Sequence, residues 1–394
     1  MTPASSSSSA SPVVVTLKGG SHLHADGHWA REPLHLDGEL LTDAQGTTAR
    51  WLDTTDCLVL PGIVDFHGDA FERQIMPRPG VRFPLDVAMM DTDRQLAANG
   101  ITTAFHGITY SWEGGLRGRD TALQLFESME RLQTHFLVEH RAHIRFECHN
   151  LAGEADVAHW MEAGKVGVLA FNDHLPGMRK KQANLGKMKE YADRAETDVE
   201  GFLARMESAA ERAGEVPLAI KRLAAKARRY GVPMASHDDT DVTVREYFDD
   251  LHCHISEFPL TRDVAEMART RNTPVVCGGP NVLRGGSHVG APSAATLAGD
   301  GLCSILASDY YYPAPLFAAF RLAELGLLSL AQAWQLVSRN PAQALALQDR
   351  GEIAAGKRAD LLVIDPRVPA QPRLVATLSA GRLVYLSEGS RLHG

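Results

Sequence analysis

Residues 64 to 69 read VDFHGD, an apolar run that closes on His67 and Asp69 one residue apart. Side chains alternate along an extended strand, so these two share a face while Phe66 and Gly68 take the other. An imidazole and a carboxylate on one face can hold a divalent metal. Other apolar runs also close on ionisable groups: His106 in TTAFHG, Glu147 in HIRFECH, and Asp173 with His174 in VGVLAFNDH. His237 to Asp239 follow VPMAS, Glu257 lies in HISEFP, and Asp309 ends SILASD. Three histidines (His67, His174, His237) and three carboxylates (Asp69, Glu147, Asp309) suit two divalent ions sharing one bridging carboxylate. Two such ions carry four positive charges against three negative ones, a net positive centre that attracts phosphate and lowers the pKa of a bridging water. A lone strand-end histidine is ordinarily a hydrogen-bonded structural residue. Costly ionisable groups at several strand ends argue instead for one shared site. Ligation rich in carboxylates is compatible with zinc, manganese or iron.

Such groups must be brought together by their strands. The strand-like runs number about eight and alternate with helical patterns such as LQLFESMERLQTHFLVEH, AIKRLAAKARRY and DVAEMARTR. This rhythm predicts an α/β fold, a (β/α)8 TIM-type barrel whose C-terminal rim gathers the ionisable residues. Short turn-punctuated runs at both ends, PVVVTLKGG and CLVLPGIV early, LLVID and VATLSAGRLVYL late, predict a small β-sandwich domain built from both chain ends. The expected organisation is a serine-rich disordered tail over 1–12, sandwich over 13–62, barrel over 63–346, and the rest of the sandwich over 347–394.

The 394 residues, 44% of them hydrophobic, suffice for a large core. A formal net charge of -8 gives no electrostatic case for nucleic acid or an anionic membrane, so an anionic ligand must be caught locally. The five cysteines lack CxxC spacing and lie mostly in apolar runs, as expected of reduced thiols in a cytoplasmic protein. Neither a signal peptide nor a bilayer-spanning run is expected. Two segments could supply local cations. GMRKKQANLGK carries Arg179 and Lys180, although a basic run is ordinarily a solvated face; NVLRGGSH carries Arg284, Ser287 and His288, where glycines permit close backbone approach and arginine can fork onto phosphate oxygens.

LPGIVDFH entering a barrel, the lone histidine of ASHDD, a late strand ending ASD, and GEIAAGKRADLLVID resemble the amidohydrolase superfamily of metal-dependent hydrolases over nearly the whole chain. More narrowly, AHIRFECH, FNDHLPGMRKKQAN, SEFPLT, GGPNVLRGGSH, ASDYYYPA and NPAQALALQDRGEI resemble its phosphonate-metabolism branch, the α-D-ribose 1-methylphosphonate 5-triphosphate diphosphatases. That branch has His-x-Asp at the first strand. The resemblance implies hydrolysis of a sugar 5-triphosphate to the 5-phosphate and pyrophosphate by metal-activated hydroxide attacking the α-phosphorus. It implies His67, Asp69, Glu147, His174, His237 and Asp309 as ligands, with Asp309 also taking the proton from the water. The superfamily's usual bridging lysine is missing from the fourth strand, and Glu147 stands as its substitute. Glu257 occupies the place of a further histidine and reads either as a ligand or, ahead of that, as a buried acceptor behind the ligands. The chain departs from the branch in AFERQIMPRPG and in HVGAPSA, both near the expected substrate pocket. The expected partner is a small phosphorylated sugar, and a homodimer of barrels is compatible with the sequence. The competing readings are an amide-bond hydrolase, a deacetylase or cyclic-amide hydrolase, which needs no basic rim, and a catalytically silent metal-binding scaffold.

Overall fold

The computed structural model describes residues 16–44, 50–286 and 292–394. The expected tail over 1–12 lies outside them, as do Ser287 and His288. Eight strands form one parallel sheet in sequence order: β1 (Ile63–Gly68), β2 (Ile101–Tyr110), β3 (Glu139–Glu147), β4 (Val168–Asn172), β5 (Met234–His237), β6 (Ile255–Glu257), β7 (Val275–Gly278) and β8 (Ile305–Ala307). The sheet closes on itself just past β8. The Asp309 amide donates to the His67 carbonyl (2.8 Å) and the Asp69 amide to the Asp309 carbonyl (2.9 Å). Below that seam Asp65 accepts from the Ser308 amide (2.8 Å) and hydroxyl (2.6 Å), while burial pushes its carboxyl up to about 6. The result is the expected TIM-type barrel. Its interior is filled by Val64, Phe66, Phe105, Val168, Ala235 and Ile305, a packed core below the rim.

Helices cover the outside with their apolar stripes. Val216–Tyr230 buries Val216, Ala219, Ile220, Leu223, Ala224 and Ala227, spaced by three and four residues, and stops at Gly231, whose φ of 67° only glycine adopts without strain. The long run expected to be helical around LQLFESMERL ends sooner: its helix is Arg119–Leu132, Phe136 and Val138 are buried in the connection, and Glu139 already begins β3.

Two further sheets mix strands from both ends of the chain. One orders Leu392–His393, Trp51–Asp53, Thr16–Lys18, Leu34–Asp37 and Leu40–Thr42. The other orders Arg382–Leu386, Arg373–Ser379, Leu361–Asp365, Leu58–Pro61, Ser21–Leu23 and Trp29–Ala30. Leu17, Leu36, Leu52, Val59, Leu361, Val363 and Val375 share one buried cluster. The single run CLVLPGIV thus serves two sheets, turning at Gly62, where a Cβ would come 2.3 Å from the Thr102 hydroxyl. Glu139 ties the barrel to the C-terminal segment through Arg350 (2.6 Å) and Arg358. All five cysteines are free and buried, and no helix among the described residues is long and apolar enough to cross a membrane.

Candidate metal centre

The C-terminal rim of the barrel collects His67, Asp69, His237, Glu257 and Asp309. Strict alternation along β1 predicts Phe66 on the opposite side from His67, and here the structure differs. The pairing of β1 with β2 shifts between Asp65 and Gly68, so Phe66 packs in the barrel interior while His67 also reaches inward, its Nδ1 2.7 Å from Glu257 Oε1. A bulge of this kind re-aims a side chain beside a site. Gly107 on β2 leaves room for it: a Cβ there would stand 3.1 Å from His67 Nε2.

On β3, His143, Arg145 and Glu147 alternate with the outward-packed Ile144 and Phe146. His143 Nδ1 donates to the Phe66 carbonyl (3.1 Å), and its Nε2 lies 3.6 Å from Glu257 Oε2. Arg145 donates to Asp69 Oδ2 (3.2 Å) and lies 3.4 Å from His237 Nε2. Glu147 is committed to His174, whose Nδ1 lies 2.5 Å from one carboxylate oxygen and whose amide donates to the other at 3.3 Å. His174 Nε2 in turn lies 3.4 Å from Asp238.

Three sets of side chains each bring their ligand atoms within 4.8 Å of one another: His67 with Asp69 and Asp309; His67 with His237 and Glu257; His174 with His237 and Asp238. His67 and His237 each belong to two sets, so the sets form a continuous arc across the rim. Of the residues expected from sequence, His67, Asp69, His174, His237 and Asp309 come together here. Glu147 stands behind His174 with both carboxylate oxygens engaged. Glu257, expected behind the ligands, supports His67 and also reaches the shared space.

The electrostatics suit a cation. Burial, then the Arg145 charge, drives His67 well below the usual imidazole range, and burial takes His143 down to about 3 despite Glu257, so both rings are neutral and able to ligate. Burial works against the Glu147–His174 pair, yet mutual attraction wins: Glu147 falls to about 2 and His174 rises to about 9. Asp309 is pushed up to about 8 by burial and by Asp69. Two acids facing each other in a closed space call for a positive charge between them. Glu257 Oε2 and His237 Nδ1, members of one of the three sets, are buried without hydrogen-bond partners, an expense that a coordinated ion would remove. The donor set therefore fits divalent metal.

Three residues at the strand ends hold left-handed backbone without being glycine: Asp238 (φ 58°), Phe258 (φ 53°) and Asp309 (φ 55°). Such strain collects where side chains must be aimed against local preference. A cavity of about 240 Å³ opens over the centre, lined by His67, Arg145, His174, His237, Asp309 and, at its edge, Arg284. Arg284 donates to the Tyr310 hydroxyl at 3.4 Å. Arg179 and Lys180 lie on the helix Leu175–Lys180, exposed and outside this lining, and Arg179 pairs with Glu207 (3.2 Å). His106 is occupied by His140 (2.8 Å) and plays a structural part. Arg145 and Asp238 were not among the expected site residues. The polar-apolar alternation of HIRFE is the signal that points to Arg145.

A metal-capable rim on a closed eight-stranded barrel, flanked by a two-ended β-domain, defines a class of metal-dependent hydrolases. The model of the amidohydrolase family matches residues 92–385, and the chain belongs to that family. It is 35% identical over 347 residues, 83% of this chain and 89% of the other, to the α-D-ribose 1-methylphosphonate 5-triphosphate diphosphatase of Escherichia coli (strain K12). Its fold is similar to that of molinate hydrolase (TM-score 0.63, 13% identity, 95% of each chain). It is also similar to an amidohydrolase from an environmental sample of the Sargasso sea (TM-score 0.61, 16% identity, 94% of this chain and 93% of the other).

Proposed function

We propose that this hydrolase cleaves α-D-ribose 1-methylphosphonate 5-triphosphate, or a similar sugar 5-triphosphate, to the 5-phosphate and pyrophosphate. The observation that carries the reading is its 35% identity, over most of both chains, to a diphosphatase of that name. The cationic Arg145 and Arg284 in the cavity agree with it, since a neutral amide has no need of them.

His67, Asp69 and Asp309 would hold one divalent ion, and His174 and His237 with Asp238 a second, Glu257 orienting His67 from behind. Bound there, the ions supply a lowered pKa for water and positive charge beside phosphoryl oxygens. Asp309 takes the proton as the water oxygen bonds to the α-phosphorus. The bond from that phosphorus to the oxygen bridging to the β-phosphorus breaks, and pyrophosphate departs. Arg145 neutralises charge at the reacting phosphoryl group, and Arg284 at the cavity edge binds the outer phosphates.

Metal-reconstituted protein is to be incubated with the ribose phosphonate triphosphate, with ATP and with several N-acyl amino acids, following pyrophosphate, orthophosphate and amine. Pyrophosphate release from the sugar triphosphate, reduced at least about a hundredfold in Asp309→Asn, is the expected result. Amine release with no phosphate product would replace this reading with amide hydrolysis.

A further inference from the structure

The barrel rim is not the only place where imidazoles and a carboxylate converge. In the N-terminal segment SHLHADGHW, the strand Ser21–Leu23 pairs with Trp29–Ala30. The chain reverses between them, with the His24 amide donating to the His28 carbonyl (2.9 Å) and the Gly27 amide to the His24 carbonyl (2.9 Å). This turn stacks the rings of His24 and His28 with centroids 4.7 Å apart. Both present Nδ1 to the same oxygen of Asp26: His24 at 3.2 Å, His28 in direct hydrogen-bond contact. Ligand atoms of all three lie within 4.8 Å of one another.

We propose that His24, Asp26 and His28 form a second metal site, for one divalent transition ion of the zinc, nickel and copper class, in the β-domain and apart from the catalytic rim. Two imidazole nitrogens and one carboxylate oxygen are the donor mixture that such ions prefer over magnesium or calcium, which seek oxygen. Zinc with ligand distances of about 2.0–2.2 Å in tetrahedral array sets its donors roughly 3.3 Å apart, close to the His24–Asp26 separation. The remaining coordination position faces water, because Asp26 and His28 are exposed. Behind the turn His22 is buried, 3.6 Å from Glu32, and His22, His24 and Glu32 line one further cavity of about 250 Å³. A carboxylate and a third imidazole therefore stand next to the site.

The place is mechanically significant. His24 forms a bridge to Ile353 of the C-terminal segment, and Arg339, from the helix Arg339–Ala344, donates to the Ala25 carbonyl at 3.4 Å. Pro61, just before β1, lies in the same crevice as His24 and Gly27. The ion would pin a turn seated at the start of β1, at the opposite end of that strand from His67.

The full chain, stripped of metal and dialysed against zinc, is to be compared with His24→Ala/His28→Ala and with Asp26→Asn. Zinc per chain is read by elemental analysis, and copper(II) paramagnetic resonance by the nitrogen splitting of coordinated imidazole. The expected result is one equivalent fewer in the double variant, at least a tenfold weaker equivalent in Asp26→Asn, loss of a two-nitrogen copper signal, and unchanged hydrolytic turnover. Equal stoichiometry and spectra in all three proteins would overturn the proposal. So would a zinc deficit accompanied by lost turnover in a folded variant, because the missing ion would then belong to the barrel.

Discussion

Arg145 ties a carboxylate after β1 to an imidazole at the end of β5, and a guanidinium in that position competes with any divalent ion for Asp69. A charge-assisted hydrogen bond is worth about 1.5–3 kcal/mol. Arg145→Met is therefore expected to tighten divalent metal binding in calorimetric titration while lowering kcat/KM for a triphosphate about ten- to a hundredfold. Unchanged metal affinity would show that Arg145 and the ion do not contend for Asp69. At this scale much of the centre was legible, because a histidine or acid closing an apolar run is costly and therefore conspicuous. Five of the six expected ligands meet at the rim for that reason. Glu147 was legible as a strand-end acid, but its contacts with His174 were not, because they depend on how the chain enters the helix Leu175–Lys180. Asp238 was visible beside His237 as a strand-end acid but was not assigned to the site, because its aim comes from a left-handed backbone, which no residue type announces.

The seam between barrel and β-domain rests on an ion cluster at the start of β3. Glu139 accepts from Arg350 and Arg358. Burial would raise its carboxyl, but the two guanidinium groups and Arg141 overcome that and take it to about 2. Because the folded value lies below the unfolded one, the linkage stabilises the folded state fully above the unfolded pKa of about 4.5 and is lost as pH falls towards 2. Glu139→Gln is expected to cost about 2 kcal/mol at neutral pH in denaturant titration, with the gap to the parent closing between roughly pH 4.5 and 2. A constant gap across that range would assign the loss to packing. The eight barrel strands were readable as elements because each is a short apolar run bounded by turns. Their finer geometry was not. The bulge in β1 arises from its neighbours β2 and β8, and the division of CLVLPGIV between two sheets follows from the close approach at Gly62 to Thr102.

For the whole molecule, metal and stability are linked. An ion that binds the folded rim and not the unfolded chain contributes about 2.7 kcal/mol at a hundred times its dissociation constant. Chelation is thus expected to abolish turnover and to lower the thermal midpoint by a few degrees in scanning calorimetry, and re-addition of metal to restore both. A midpoint indifferent to chelator would mean that the rim is stable without a cation.

The interleaving of the β-domain also sets the order in which the nascent chain can be completed. Leu58–Pro61 pairs with Leu361–Asp365, and Pro61 meets Leu361, 300 residues later. At a ribosomal pace of about 5–20 residues per second, that early apolar strand waits roughly 15–60 s for its neighbour. The barrel can form from contiguous strands during this interval, while the first part of the β-domain keeps an open edge inviting association with other chains. Every round of synthesis therefore passes through a stage at which an apolar strand edge stands without its final neighbour.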